Sequence, residues 1–155
     1  MHELTVAPLP DLETHLGYWL RLVSNHVSAE FTRGLQARQI SIAEWVALRY
    51  LHDRHDLTQG ELARLLGMTR GAVSKVFDKL ESKGWVTHQT KPDDHRVQVL
   101  SLTPEGKHLL PQLVEIADGN DRMHFDCLSA EEQATFKNLL KKLADVHHWH
   151  DVPVE

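Results

Sequence analysis

Between Leu57 and Val73 the chain signals a helix start, a stop and a second start in quick succession. Thr58 and Glu61 have the spacing of a capping box, which satisfies two exposed backbone N–H groups reciprocally. Leu57 and Leu62 flank that box as a hydrophobic staple. Gly67 follows, and glycine enters the left-handed conformation that ends a helix at no steric cost. Thr69 then caps a further helix, with Met68 and Val73 as its staple. Gly84 is placed to end that one. The sequence therefore predicts two short helices joined by a tight, glycine-containing turn.

The same grammar recurs on either side. Ser41 and Glu44 form a capping box for a helix that reaches about Arg54 to Asp56, with Ile40 and Trp45 as the staple. Ser129 and Glu132 form another, for a last helix ending near His147. Upstream, Leu12, Leu16, Trp19, Val23, Val27, Phe31 and Leu35 recur in steps of three and four, widened by Leu20 and Leu22. That stripe predicts a long helix from Leu12 to Arg38, with more apolar surface than one neighbour needs. After Gly84 the period changes. Trp85 to Thr90 suits a strand, Lys91-Pro92-Asp93-Asp94-His95 is turn chemistry, and Val97 to Leu102 alternates as a second strand. Thr103-Pro104 reads as an N-cap with proline at the first helical position. The helix it opens carries Leu109, Leu110, Leu113, Val114, Ile116 and Ala117, and Pro111 inside it is expected to kink or split it. The tail Asp151 to Glu155 is expected to fray.

A helix pair followed by a hairpin is a winged helix-turn-helix, and the whole reads as a mainly α fold with a two-stranded β-wing. In the helix after Thr69, Val73, Val76, Phe77 and Leu80 face inward. Arg70, Gly71, Ser74, Lys75, Asp78 and Lys79 are left outside. Small residues there let the backbone approach a major groove, and hydroxyl and basic groups reach phosphates and base edges. The net charge of the 155-residue chain is −5, which opposes nucleic acid until its distribution is considered. Residues 57–107 hold eight Lys/Arg against six Asp/Glu, a net +2 inside an acidic protein. Binding by this segment must therefore depend on placement rather than bulk attraction.

Other classes are disfavoured. No apolar run approaches a membrane span, and Met1 to Pro10 lack the basic flank and apolar stretch of a leader. The single cysteine, Cys127, cannot make an internal disulfide and is expected as a small buried hydrophobe rather than a redox switch. A cytoplasmic setting is the natural expectation. No nucleophile–base motif, phosphate loop or metal-binding helix motif is present, so an enzyme is not expected.

The string Leu66-Gly67-Met68-Thr69-Arg70-Gly71-Ala72-Val73-Ser74-Lys75 resembles the recognition segment of the MarR family. Asp94-His95-Arg96, then Val97 to Thr103, resembles that family's wing signature, and Pro104-Glu105-Gly106 also matches. The flanking helices come in the order the family uses, so the resemblance spans nearly the whole chain. It implies one domain over 1–155, with dimerisation helices at 11–38 and 104–148 and a winged helix-turn-helix lobe at 41–103. It implies a homodimeric regulator of transcription, most often a repressor, on a pseudo-palindromic duplex. Thr69, Arg70, Gly71, Ser74, Lys75 and Lys79 would meet the major groove and Arg96 the minor groove, with Asp94 bracing the wing. It also implies an effector site. Family members often bind small aromatic acids or phenols, and Tyr18, Trp19, His26, Trp45 and Arg49 are the candidates, an arginine beside tryptophans being suited to a carboxylate. The opposing reading is that both tryptophans are plain core and that Arg49 snorkels or pairs with Asp53.

Among twelve histidines, His147, His148 and His150 cluster near the end and His52 and His55 lie three apart, but neither set makes a zinc motif. No metal or other cofactor is expected. The alternative is a metal-responsive DNA-binding regulator using histidine ligands. A winged helix that binds protein is a further one.

Overall fold

The computed structural model describes residues 7–155. The expectation that Met1 to Pro10 carry no leader falls, for the first six positions, outside the described residues. A short 3₁₀ turn (Leu12–Thr14) precedes α1 (Leu16–Gln36), α2 (Ile42–Asp53), α3 (Gln59–Leu66), α4 (Arg70–Ser82), β1 (Val86–Lys91), β2 (Asp94–Leu102), α5 (Pro104–Phe125) and α6 (Ala130–Val146). The mainly α winged architecture read from the sequence is the one observed.

The caps form as their spacing demands. Ser41, Thr58 and Ser129 each accept the backbone N–H three residues on, and Glu44, Glu61 and Glu132 reach back to the cap N–H. In the last box the Ser129 backbone N–H, donated to Glu132, holds that carboxyl below its ordinary value. Gly67 (φ 62°) and Gly84 (φ 79°) end α3 and the turn after α4 in the left-handed region. At both, the next residue bonds back across the turn, Met68 to Ala63 and Trp85 to Leu80. The same closure occurs without glycine at Gln39 (φ 58°) after α1 and His148 (φ 56°) after α6. There Ile40 and Trp149 donate back to Leu35 and Ala144.

The core gathers one face from each helix of the lobe. Leu48 of α2, Leu62 and Leu66 of α3, Val73, Phe77 and Leu80 of α4, and Leu113 of α5 are all buried in it. The wing pairs antiparallel from Val86 opposite Leu102 to Thr90 opposite Gln98. Leu100 and Leu102 face the core, while Val97 and Val99 lie half-exposed on the other face. The Leu100 N–H donates to the Leu57 carbonyl at 2.7 Å, tying the wing to the entry of α3.

Four expectations need correction. The first helix does not begin at Leu12. His15 is extended between the 3₁₀ turn and α1, and the Trp19 indole N–H takes the Glu13 carbonyl instead. Of the two outcomes expected at Pro111, the split does not occur, and α5 runs on through it. It is exposed, as is Lys107, whose carbonyl it leaves unbonded, so water can satisfy that group. The tail does not fray from Asp151, because Val152 and Val154 are half-buried and Val154 packs on the core beside Ile40 and Ile42. Cys127 is exposed, in the short connection where α5 turns into α6 and no lobe helix covers it.

Gly106 is the glycine that packing requires. A Cβ there would stand 2.0 Å from the Trp85 carbonyl oxygen, whereas at Gly71 nothing lies within 4 Å. Gly106→Ala is expected to lose about 3 kcal/mol of stability by overpacking. Gly71→Ala, on the exposed first turn of α4, should gain roughly 0.5–1 kcal/mol from helix propensity. Urea unfolding of the two variants checks the contrast, and equal stabilities would contradict it.

Candidate nucleic-acid interface

α4 presents one face to the core and the other to solvent. Its inward stripe is Val73, Phe77 and Leu80, with Val76 half-buried. Arg70, Gly71, Lys75 and Lys79 are therefore exposed, and Ser74 is half-buried at the edge of that face. Thr69 caps the helix by accepting the Ala72 N–H at 3.1 Å. Its hydroxyl hydrogen stays free to donate outward. The Arg70 guanidinium lies back over Gly60 of α3, at a distance of van der Waals contact from where a Cβ would be. No acidic residue falls in the first turn of α4, so the partial positive charge of its N-terminus is not neutralised locally.

The wing stands beside that face. Lys91 pairs with Asp94 but Thr90 pairs with Gln98, so His95, Arg96 and Val97 have no partner across the hairpin. Arg96 is the centre of this bulge, and bulges re-aim side chains. Its side chain is 95 % exposed, and its Nε lies 3.8 Å from Asp94, a loose surface pair that water and salt screen. Asp94 does more to the backbone than to the guanidinium. Its Oδ1 accepts the Arg96 N–H at 3.0 Å, which pins the bulge. Two links join wing to helix that the sequence did not signal. His88 of β1 bonds Glu81 of α4 at 2.6 Å, and its ring packs edge-on to Phe77.

The five effector candidates fall into two groups and a single residue. Tyr18 and Trp19 pack edge to face, ring centroids 5.2 Å apart, near the start of α1. A cavity of about 500 Å³ beside Tyr18 is lined by residues of the 3₁₀ turn, by His15 and by α1. Trp45 packs against Phe31, and the Arg49 guanidinium lies 5.5 Å over its ring. Arg49 also pairs with Asp53 at 3.8 Å, yet its Nε is buried without a hydrogen-bond partner. His26 is exposed on α1. Among the described residues no three His, Cys, Asp or Glu side chains lie where they could hold a metal ion together. No helix of the described residues is long and apolar enough to cross a membrane.

Residues 38–97, from the end of α1 to the wing, match the MarR family. A curated HTH-type transcriptional repressor of Mycobacterium tuberculosis is 30 % identical over 128 residues, covering 83 % of this chain and 92 % of the relative. A mutant MarR of E. coli, crystallised with operator DNA, is 28 % identical with a TM-score of 0.69, over 86 % of this chain and 99 % of that one. A mutant MepR of S. aureus is 27 % identical with a TM-score of 0.76, over 85 % and 98 %. With near-complete coverage of a 30 % identical relative and the same helix order and wing, the chain belongs to the MarR family of transcriptional regulators.

Proposed function

We propose that this chain is a homodimeric, sequence-specific double-stranded DNA-binding regulator that acts as a repressor. The observation that carries the reading is the outward face of α4, where Thr69, Arg70, Gly71, Ser74 and Lys75 stand in the first two turns of a helix fixed by its buried side. That end enters the major groove. Gly71 lets the backbone approach, the helix N-terminus and Thr69 meet phosphate, and Arg70, Ser74 and Lys75 reach base edges. Lys79, a turn and more further along, contacts the backbone. Arg96, aimed by a bulge that Asp94 pins, enters the neighbouring minor groove. The repressing direction is supported by the M. tuberculosis relative, which is named a repressor, and duplex binding by the operator complex of E. coli MarR.

Two such helices are needed, and the exposed apolar surface supports a second copy. Phe136, Leu139, Leu140 and Leu143 form one stripe of α6, which buries none of its residues within the subunit. Leu16, Trp19, Leu20 and Val23 of α1 are exposed as well, Leu16 at 88 %. A helix with an uncovered apolar stripe needs a partner surface, and a symmetric dimer supplies it by self-association.

An effector reading is supported by one observation, the orphaned Nε of Arg49 beside Trp45. A small aromatic carboxylate pairs with the part-exposed guanidinium at the edge of the indole, and its binding has to open a path to the buried Nε. It acts by favouring one of two dimer states over the other.

Selection from a random duplex pool should yield a pseudo-palindrome. With Lys79 and Arg96 of both subunits beside phosphates and Arg70 and Lys75 on base edges, log affinity should fall with log salt at a slope of about −4. Arg96→Ala should reduce that slope by about 2 and weaken binding most on sites with A·T-rich flanks. A dimer with no duplex preference at any salt contradicts the reading. Leu143→Asp should yield monomer in sedimentation and lower affinity for the paired site about 100-fold, as expected when two linked contacts become independent. Retention of the dimer would remove α6 from the interface. Benzoate should quench tryptophan fluorescence in the wild type and not in Arg49→Met, and equal quenching in both would refute the effector site.

A further inference from the structure

Glu44 is the only charged residue buried among the described residues, and it is one turn inside α2. Its Oε1 accepts the Ser41 N–H at 3.3 Å, completing the cap of α2. Its Oε2 accepts from the Lys83 ammonium at 3.0 Å. Lys83 is the residue at which α4 ends. The same ammonium donates to the backbone carbonyl of Gln39 and lies 5.1 Å from the Trp85 ring centroid. One compact cation is thus held on three sides by groups from the α1–α2 junction and from the strand entry.

The junction itself is strained. Gln39 adopts a left-handed φ of 58° that a side chain disfavours, and such backbone persists only where its surroundings fix it. The group that grips its carbonyl comes from the far end of α4. We propose that Lys83 is a positioning residue for DNA recognition: by holding the Gln39 carbonyl and the Glu44 carboxylate together, it locks the end of α4 to the end of α1 and so sets how far apart two subunits present their α4 helices. This rests on the dimeric DNA-binding reading above. An ion pair with its carboxylate buried and its ammonium a quarter exposed adds little stability over an apolar pair, but it fixes one geometry.

The geometry predicts what each variant does. Lys83→Met alone leaves a buried carboxylate without its cation and is expected to unfold more readily. Lys83→Met with Glu44→Gln removes both charges, and the glutamine oxygen still accepts the Ser41 N–H. This double variant is the informative one, provided its melting temperature is close to wild type. If that pair also fails to fold, Lys83→Arg keeps the charge but replaces the compact ammonium with a broad planar fork, and the same two measurements apply to it.

The first measurement is amide hydrogen exchange across residues 37–41 of the full-length protein. It should be about ten times faster in the double variant, with the amides of α3 unchanged. The second is affinity for the selected duplex against the same duplex with one base pair added between half-sites, which turns one site by roughly 36°. Wild type should discriminate at least tenfold more strongly than the variant, while affinity for unrelated duplex stays equal. Unchanged exchange at the junction overturns the proposal whatever the DNA result. A folded variant that keeps the wild-type spacing preference overturns it too. If wild type binds no duplex at all, the DNA-binding reading fails and the exchange measurement still decides whether Lys83 locks the junction.

Discussion

Everything in this molecule follows from how α4 is seated. A helix with one apolar stripe can lie on a core in one rotation only. Val73, Phe77 and Leu80 define that stripe, and each is almost fully buried against α2, α3 and the wing. The outward direction of Arg70, Gly71 and Lys75 is then not a choice of those residues but a consequence of the buried ones. The short α3 and its left-handed Gly67 place the N-terminus of α4 at the surface. The Leu57–Leu100 bridge and the His88–Glu81 bond place the wing beside it. A flexible α4 would have the same composition and none of the directionality.

Charge reinforces this dependence on geometry. A segment of net +2 within a chain of net −5 has little bulk attraction for a polyanion. What it has is an uncompensated helix N-terminus and a few cations held at set positions. The acidic remainder limits indiscriminate adhesion to duplex, so affinity has to come from several contacts made together. The uncovered apolar stripes on α1 and α6 fit that need, because pairing two lobes doubles the contacts and fixes their separation.

Much of this was legible in the residues. Capping boxes are local, so Ser41, Thr58 and Ser129 announced their helices without tertiary information. Gly67 and Gly84 announced the turns by the conformation they permit. What escaped was set by contacts distant in sequence. Gln39 and His148 occupy left-handed positions where glycine is the usual sign, so the ends of α1 and α6 carried no flag. The break at His15 depends on a Trp19 indole choosing a backbone carbonyl. Val154 returns to Ile40 across about three quarters of the chain. Glu44 was recognised as a cap, but its second partner, Lys83, lies 39 positions away and left no local trace. The face of β2 was ambiguous because valines alternate with leucines, and only the core decides that Leu100 and Leu102 turn inward. The outward face of α4, in contrast, was readable, since its rotation is fixed by a stripe within a single helix.

In the proposed complex, two α4 helices of one dimer enter successive major grooves on the same side of a duplex while the wings reach the flanking minor grooves. Hydroxyl-radical footprinting of the bound duplex tests it most directly. Separate protected windows are expected on each strand, related by a two-fold axis and repeating at one helical turn, ~34 Å. A single unbroken window without two-fold symmetry, or no protection under conditions where the protein is dimeric, would contradict it.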